Sequence, residues 1–379
     1  MDRERTDRSL REPVERAQIP FISAIAVSRD GVTYEGAFGE ARPGEAMRVD
    51  SIVRIASMTK ALTSLCAVQL VEQGLLHLDA PAAEMLPIVS GGVVLDGGVL
   101  REPRRPVTLR DLLTHTSGYA YPFTSPELGT YLAAKEPEQR QGIDTPLVSD
   151  PGERWQYGVG TDWAGLMVEV ASGLGLDEYM ERYVLGPLGM TDTAFDLPEE
   201  KKVRLTSVHA RRPDGVLIDR GVQAPFGRNT MDGKSFVSGG GGLTSTAADY
   251  ARFLRFMLRD GELDGVSLIG AEGFELLATN QIGALVAGSW TSTAPETSND
   301  LDFTDGGTAG HTLGFLIARR GGAPGYAVGT LSWAGILNSY YWIDRANGVA
   351  GATFCQFLPF ADPVAIGIHR AFQRSVYGT

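Results

Sequence analysis

Apolar and polar positions along this chain divide it into a strand-rich start, a long helical middle and a strand-rich end. Residues 2–17 are charged and read as a helix that Pro13 is expected to interrupt. Two strand-like runs follow, Phe21 to Val27 and Val32 to Phe38, joined at Arg29-Asp30-Gly31. An apolar run with helical spacing then extends from Ala61 to Val71 and stops at Gly74. Beyond Pro- and Gly-rich segments near 81–106, the periodic stretches 108–114, 161–173, 176–186 and 246–259 predict helices. Strand patterns return at Thr312 to Arg319, Ala327 to Trp333, Tyr340 to Ile343 and Val349 to Phe357, and a helix over 361–376 closes the chain. Thr291 to Asp302 is polar and reads as a loop. The pattern implies a sheet unit built from both chain ends, residues 1–85 with 276–379, and a mainly helical unit over 86–275. A cleft between two such parts is a common place for a site.

Composition narrows the function classes. A length of 379 residues allows one large domain or two closely joined ones, and 43% hydrophobic with 21% charged residues is ordinary for a globular protein. A net charge of −12 argues against nucleic acid as a partner, since phosphate binding needs a basic face. The basic cluster Arg101-Glu102-Pro103-Arg104-Arg105 reads as a solvated loop. Cys66 and Cys355 each lie in an apolar stretch and read as core thiols. The charged Met1 to Arg5 start lacks a following apolar segment, and no apolar run reaches membrane-spanning length, so the expectation is a cytoplasmic protein without a membrane partner. Oligomeric state leaves no mark in the sequence.

Candidate chemistry begins at Ser57-Met58-Thr59-Lys60. Residues three apart on a helix share a face. A serine at the helix start would have the Lys60 amine beside its oxygen and free backbone N–H groups around it. An acyl-transfer nucleophile needs such a base and such dipoles. With 22 serines and 5 lysines in the chain, chance supplies about 0.3 Ser-x-x-Lys matches, so a capping serine beside a solvated lysine is the competing reading.

Further segments decide between them. Arg54 to Lys60 resembles the first motif of the serine β-lactamase and penicillin-binding protein superfamily. Leu112-Leu113-Thr114-His115-Thr116-Ser117-Gly118 resembles the Leu-Leu-x-His-x-Ser-Gly signature of its class C-like branch, and Pro151 to Tyr157 resembles the approach to its second motif. Leu185 to Met190 and Gly240 to Asp249 are similar to further family segments, in the family's order. The resemblance implies an α+β fold, an antiparallel sheet flanked by helices with an inserted helical domain. It makes Ser57 the nucleophile, Lys60 its general-base partner and Tyr157 the proton-relaying phenol. Backbone N–H groups of Ser57 and Ile336 would form the oxyanion hole. It places His115 in a structural turn, and it implies no cofactor and no metal.

Two departures bear on substrate. The usual Tyr-x-Asn is Tyr157-Gly158-Val159, and the usual Lys-Thr-Gly falls at Trp333-Ala334-Gly335. Losing an amide and a cation weakens recognition of β-lactam or peptide carboxylates. The pattern is similar to the family VIII carboxylesterases and related acyltransferases, which implies a small-molecule ester substrate. An amide hydrolase of the same superfamily, or a binding protein that keeps the fold, are the alternatives. No serine stands in a Gly-x-Ser-x-Gly elbow, and there is no His-Glu-x-x-His or paired Cys-x-x-Cys. Trp333, Gly335 and Tyr119 are expected to bind substrate. Tyr121, Phe123, Phe226, Phe236 and Trp290 are further cleft candidates.

Overall fold

The computed structural model describes all residues except 137–141, 223–227, 232, 233, 305–307 and 324. Six helices frame the site: α1 (Arg3–Glu15), α2 (Thr59–Glu72), α3 (Leu109–Thr114), α4 (Gly160–Ser172), α5 (Ala247–Leu258) and α6 (Pro363–Tyr377). Capping residues start several of them. Thr108 and Asp111 form a reciprocal capping box on α3, and the Thr246 and Asp362 side chains accept from the first-turn amides of α5 and α6. Pro13 does not interrupt α1, which continues to Glu15. Near a helix end a proline removes one ladder bond and leaves the rest intact.

The eight-stranded antiparallel sheet takes its strands from both chain ends. These are β1 (Phe21–Ser28), β2 (Val32–Arg42), β3 (Glu45–Ala46), β4 (Gly310–His311), β5 (Leu316–Ile317), β6 (Leu331–Gly335), β7 (Ser339–Asp344) and β8 (Val349–Phe354). Their order across the sheet is β4-β5-β6-β7-β8-β1-β2-β3. Successive residues alternate faces. Phe21 and Ile25 of β1, with Tyr341 and Ile343 of β7, enter the large core shared with α2, α4 and α5. Ile22, Ala24 and Ala26, with Tyr340 and Trp342, pack on the other face against Leu10 of α1 and Phe372 of α6. Both faces are covered, so β1, β7 and β8 read as apolar runs.

Thr312 to Arg319 is not one strand. The Thr312 hydroxyl accepts from the amides of Gly314 and Phe315, which folds a turn between β4 and β5. Nor is the Arg101 to Arg105 cluster a free loop. Arg101 and Arg104 hold the buried Asp150 carboxylate, and Arg105 grips Asp111 with two hydrogen bonds. Cys66 and Cys355 are free and buried. Helix α2 is buried from Thr59 through Leu70, which explains its apolar character on every side. Among the described residues no helix is long and apolar enough to cross a membrane.

Candidate active site

Ser57 lies in a one-turn helix, Ala56–Met58, that leads into α2. It is the only partly exposed residue between Ser51 and Leu70. Ala56 before it has φ +46°, a left-handed conformation that an alanine adopts only when its surroundings impose it. The end of β6 packs closely against this segment. A Cβ on Gly335 would stand 2.4 Å from the Ile55 carbonyl oxygen, so only glycine lets the two segments approach so closely. Gly335 thus acts as a spacer. Its successor Ile336 lines the same cavity as Ser57.

The buried Lys60 amine has three oxygens around it. Its Nζ donates to Ser57 Oγ at 3.2 Å, to Tyr121 Oη at 3.0 Å and to the Gly240 carbonyl at 2.6 Å. It also lies 5.0 Å from the Tyr157 ring centre. Burial works against the Lys60 charge, but the facing Tyr121, Tyr157 and Asp162 oxygens outweigh it and hold its pKa above the ordinary lysine value. Burial likewise raises the Tyr121 phenol, with Lys60 pulling the other way.

The two tyrosines stand together because their backbones are joined. Tyr121 N and Thr124 Oγ1 both donate to the Tyr157 carbonyl, at 3.2 and 2.9 Å. A Cβ on Gly158 would lie 2.2 Å from the Tyr119 carbonyl oxygen, so this glycine too permits the approach. Tyr157 Oη accepts a 3.4 Å hydrogen bond from Trp333 Nε1. Behind Tyr157 the His115 ring packs edge-on at 4.9 Å and meets His311 at 5.2 Å. Burial pushes His115 well below the ordinary histidine range and His311 down to about 4, so both imidazoles are neutral. His115 caps α3 with φ +59°, the turn role that its segment implied.

A cavity of about 230 Å³ opens over Ser57. Seven aromatic side chains line it: Tyr121, Phe123, Tyr157, Trp290, Phe303, Trp333 and Phe360. Trp290 stacks on Tyr157 at 5.2 Å and 9°, and on Phe360 at 6.1 Å. Arg228 reaches the cavity but is ion-paired with Asp196 at 2.6 Å. Trp333 lines the cavity where a lysine would stand. Val159 is buried in the core and forms no part of the wall.

The cavity contains Ser57, Tyr157, Trp333 and Ile336 and receives Lys60 from below. Tyr119 does not belong to it. That side chain is buried against Trp163 at 5.6 Å, whereas Tyr121 two residues on reaches Lys60. Phe236 packs against the large core outside the cavity wall, and Phe226 lies outside the described residues. The sequence reading did not single out Tyr121 for contact with Lys60, nor Phe360, Ser238 or the Gly240 carbonyl. The available signals were the Tyr-x-Tyr spacing of 119–121 and the four consecutive glycines 239–242. Among the described residues no group of three or more His, Cys, Asp or Glu side chains is placed to hold a metal ion.

Comparison with known proteins identifies the family. A family model described as Beta-lactamase matches residues 6–374. Monacolin J acid methylbutanoyltransferase of Aspergillus terreus is 31% identical, over 97% of this chain and 94% of the relative. Lovastatin esterase of Penicillium rubens is 30% identical, over 89% and 87%. The unliganded structure of simvastatin synthase (LovD) from Aspergillus terreus superposes with a TM-score of 0.81 at 29% identity, covering 100% of this chain and 98% of that one. The chain therefore belongs to the beta-lactamase family.

Proposed function

We propose that this protein is a serine carboxylesterase that works through an acyl-Ser57 intermediate and can pass the acyl group to an alcohol as well as to water. The observation that carries the reading is the Lys60 amine, held at once to Ser57 Oγ and Tyr121 Oη, beneath an aromatic cavity with Trp333 at the usual cation position. The relatives named above are an acyltransferase and an esterase, which supports ester chemistry over β-lactam cleavage.

The mechanism follows from the proton positions. When the group formed by Lys60, Tyr121 and Tyr157 is one proton short, it accepts the Ser57 proton as Oγ attacks the ester carbonyl. The oxyanion is received by the N–H groups of Ser57 and Ile336. The accepted proton then moves to the departing alcohol oxygen, the C–O bond breaks, and acyl-Ser57 remains. Water or an acceptor alcohol attacks that ester, gives its proton to the same group and releases the acid or new ester, and Ser57 regains its proton. Lys60 donates to Tyr121 Oη, which leaves the phenol hydrogen available for the leaving group. Ser57 and Ile336 come from the sheet unit (1–85 with 276–379) and the tyrosines from the helical unit (86–275), which fits a cleft between the two.

A second reading, an amide hydrolase, draws on the same Tyr121 phenol, since a poor amine leaving group needs a nearby proton. The two separate on kinetics with short p-nitrophenyl esters and with nitrocefin. Ester turnover with little nitrocefin cleavage supports the proposal. Comparable or faster nitrocefin cleavage refutes it in favour of the amidase.

A further inference from the structure

Beneath Lys60, on the side away from the cavity, is a carboxylate that the proposed mechanism does not use. Asp162 occupies the first turn of α4 and is 1% exposed. Its Oδ1 accepts from Ser238 Oγ at 2.6 Å and from Gly240 N at 3.1 Å. The same Gly240 presents its carbonyl to Lys60 Nζ at 2.6 Å. The turn between them is tightly determined. Gly241 N and Gly242 N donate to the Ser238 carbonyl, and the Gly239 carbonyl accepts from Thr63 Oγ1 of α2. A Cβ at Gly240 would come within 2.3 Å of Asp162 Oδ2, so this position is closed to other residues. The turn of residues 238–242 is thus clamped between α2 and α4, with Asp162 as the α4 jaw.

Building on the Ser57–Lys60 assignment, we infer that Asp162 is the positioning residue of the general base: it orients the Gly240 carbonyl onto Lys60 and sets a fixed negative charge beneath the amine. Two effects follow. The hydrogen bonds hold Nζ on the line between Ser57 and Tyr121, where a displacement of about 1 Å would cost rate. The Asp162 carboxylate adds to the Tyr121 and Tyr157 oxygens in holding a proton on Lys60 in the resting site, so activation of Ser57 rises with pH as the Lys60 group loses that proton. The ionisable groups facing Lys60 are Tyr121, Tyr157, Asp162 and, through the Tyr157 side, His115. Asp162 is the one carboxylate among these.

The test is the rate at which a fluorophosphonate modifies Ser57, followed by intact mass from about pH 6 to pH 10. In the wild type the rate is still climbing at pH 10, because the Lys60 group holds its proton above the ordinary lysine range. Asp162→Asn keeps an acceptor oxygen and removes the charge, so it is expected to raise the rate about fivefold at every pH along that climb. Ser238→Ala keeps the charge and loosens the turn, so its rate falls at every pH. A folded Asp162→Asn protein with the wild-type rate or a lower one across this range overturns the inference. Should Asp162→Asn fail to fold, a Ser238→Ala protein with the wild-type rate overturns it instead. A wild type that is never labelled overturns the esterase proposal itself, a distinct outcome.

Discussion

The two sides of the cavity are held in different ways. On the Lys60 side nearly every constraint is polar and short: Ser57 Oγ, Tyr121 Oη and the Gly240 carbonyl converge on one amine within 3.2 Å, and glycines at 158 and 335 allow backbone approaches that any Cβ would block. On the other side, Phe123 and Phe360 each meet Trp290 ring to ring and Phe303 meets Tyr340, with centre distances near 6 Å and no directional bond to the chemistry. Directional contacts fix geometry, whereas apolar contacts mainly fix volume. The first side can be altered only by losing the reaction. The second can be reshaped to accept a different acyl or alcohol group.

Substitutions should widen this contrast. The largest effect is expected from Ser57→Ala, which removes the nucleophile and should lower ester turnover at least a thousandfold with the melting temperature unchanged, as checked by steady-state kinetics and calorimetry. Activity near wild type would remove Ser57 from the mechanism. Tyr121→Phe comes next, with a loss of about a hundredfold in kcat and little change in KM. Tyr157→Phe keeps the ring over Lys60 but loses the hydrogen bond from Trp333. Comparing the two variants shows which phenol serves the leaving group, and a Tyr121→Phe enzyme with full kcat would return that role to Tyr157.

Two buried histidines outside the cavity wall should make stability respond to acid. Burial lowers His311 to about 4 and His369 to about 3, so the unfolded chain binds protons before the folded one does. Their contribution to stability is fully present above the unfolded histidine pKa and is lost as pH falls from about 6.5 toward these values, by roughly 1.4 kcal/mol per pH unit for each ring. Denaturant unfolding at successive pH values should show this slope, shallower in a His369→Gln variant. A flat profile from pH 7 to 4.5 would contradict it. The smallest effect is expected at Phe360→Ala, which should change the ratio of kcat/KM between long and short acyl esters about tenfold while leaving the Ser57 labelling rate close to wild type.

How far the sequence revealed this site depended on what each segment does locally. The Ser57–Lys60 pair was legible because the helix itself sets their spacing, and Trp333 because it interrupts a recognisable motif. Strands β1, β7 and β8 were legible as apolar runs. Tyr119 was the wrong choice over Tyr121, because two residues of register along an irregular segment decide which side chain faces Lys60, and that register comes from the contact of Gly158 with Tyr119. The arginines at 101–105 looked solvated because their partners, Asp111 and Asp150, become neighbours only in the fold. Asp162 was not singled out from the sequence. Its meaning lies in a turn about eighty positions away.

The central claim is that a substrate acyl group becomes bonded to Ser57, and acid quenching during turnover of p-nitrophenyl butyrate followed by peptide mass mapping tests it most directly. The account predicts a butyryl adduct on the peptide containing Ser57, absent in Ser57→Ala. An adduct on another residue, or turnover with no adduct and no effect of the Ser57→Ala change, would contradict it.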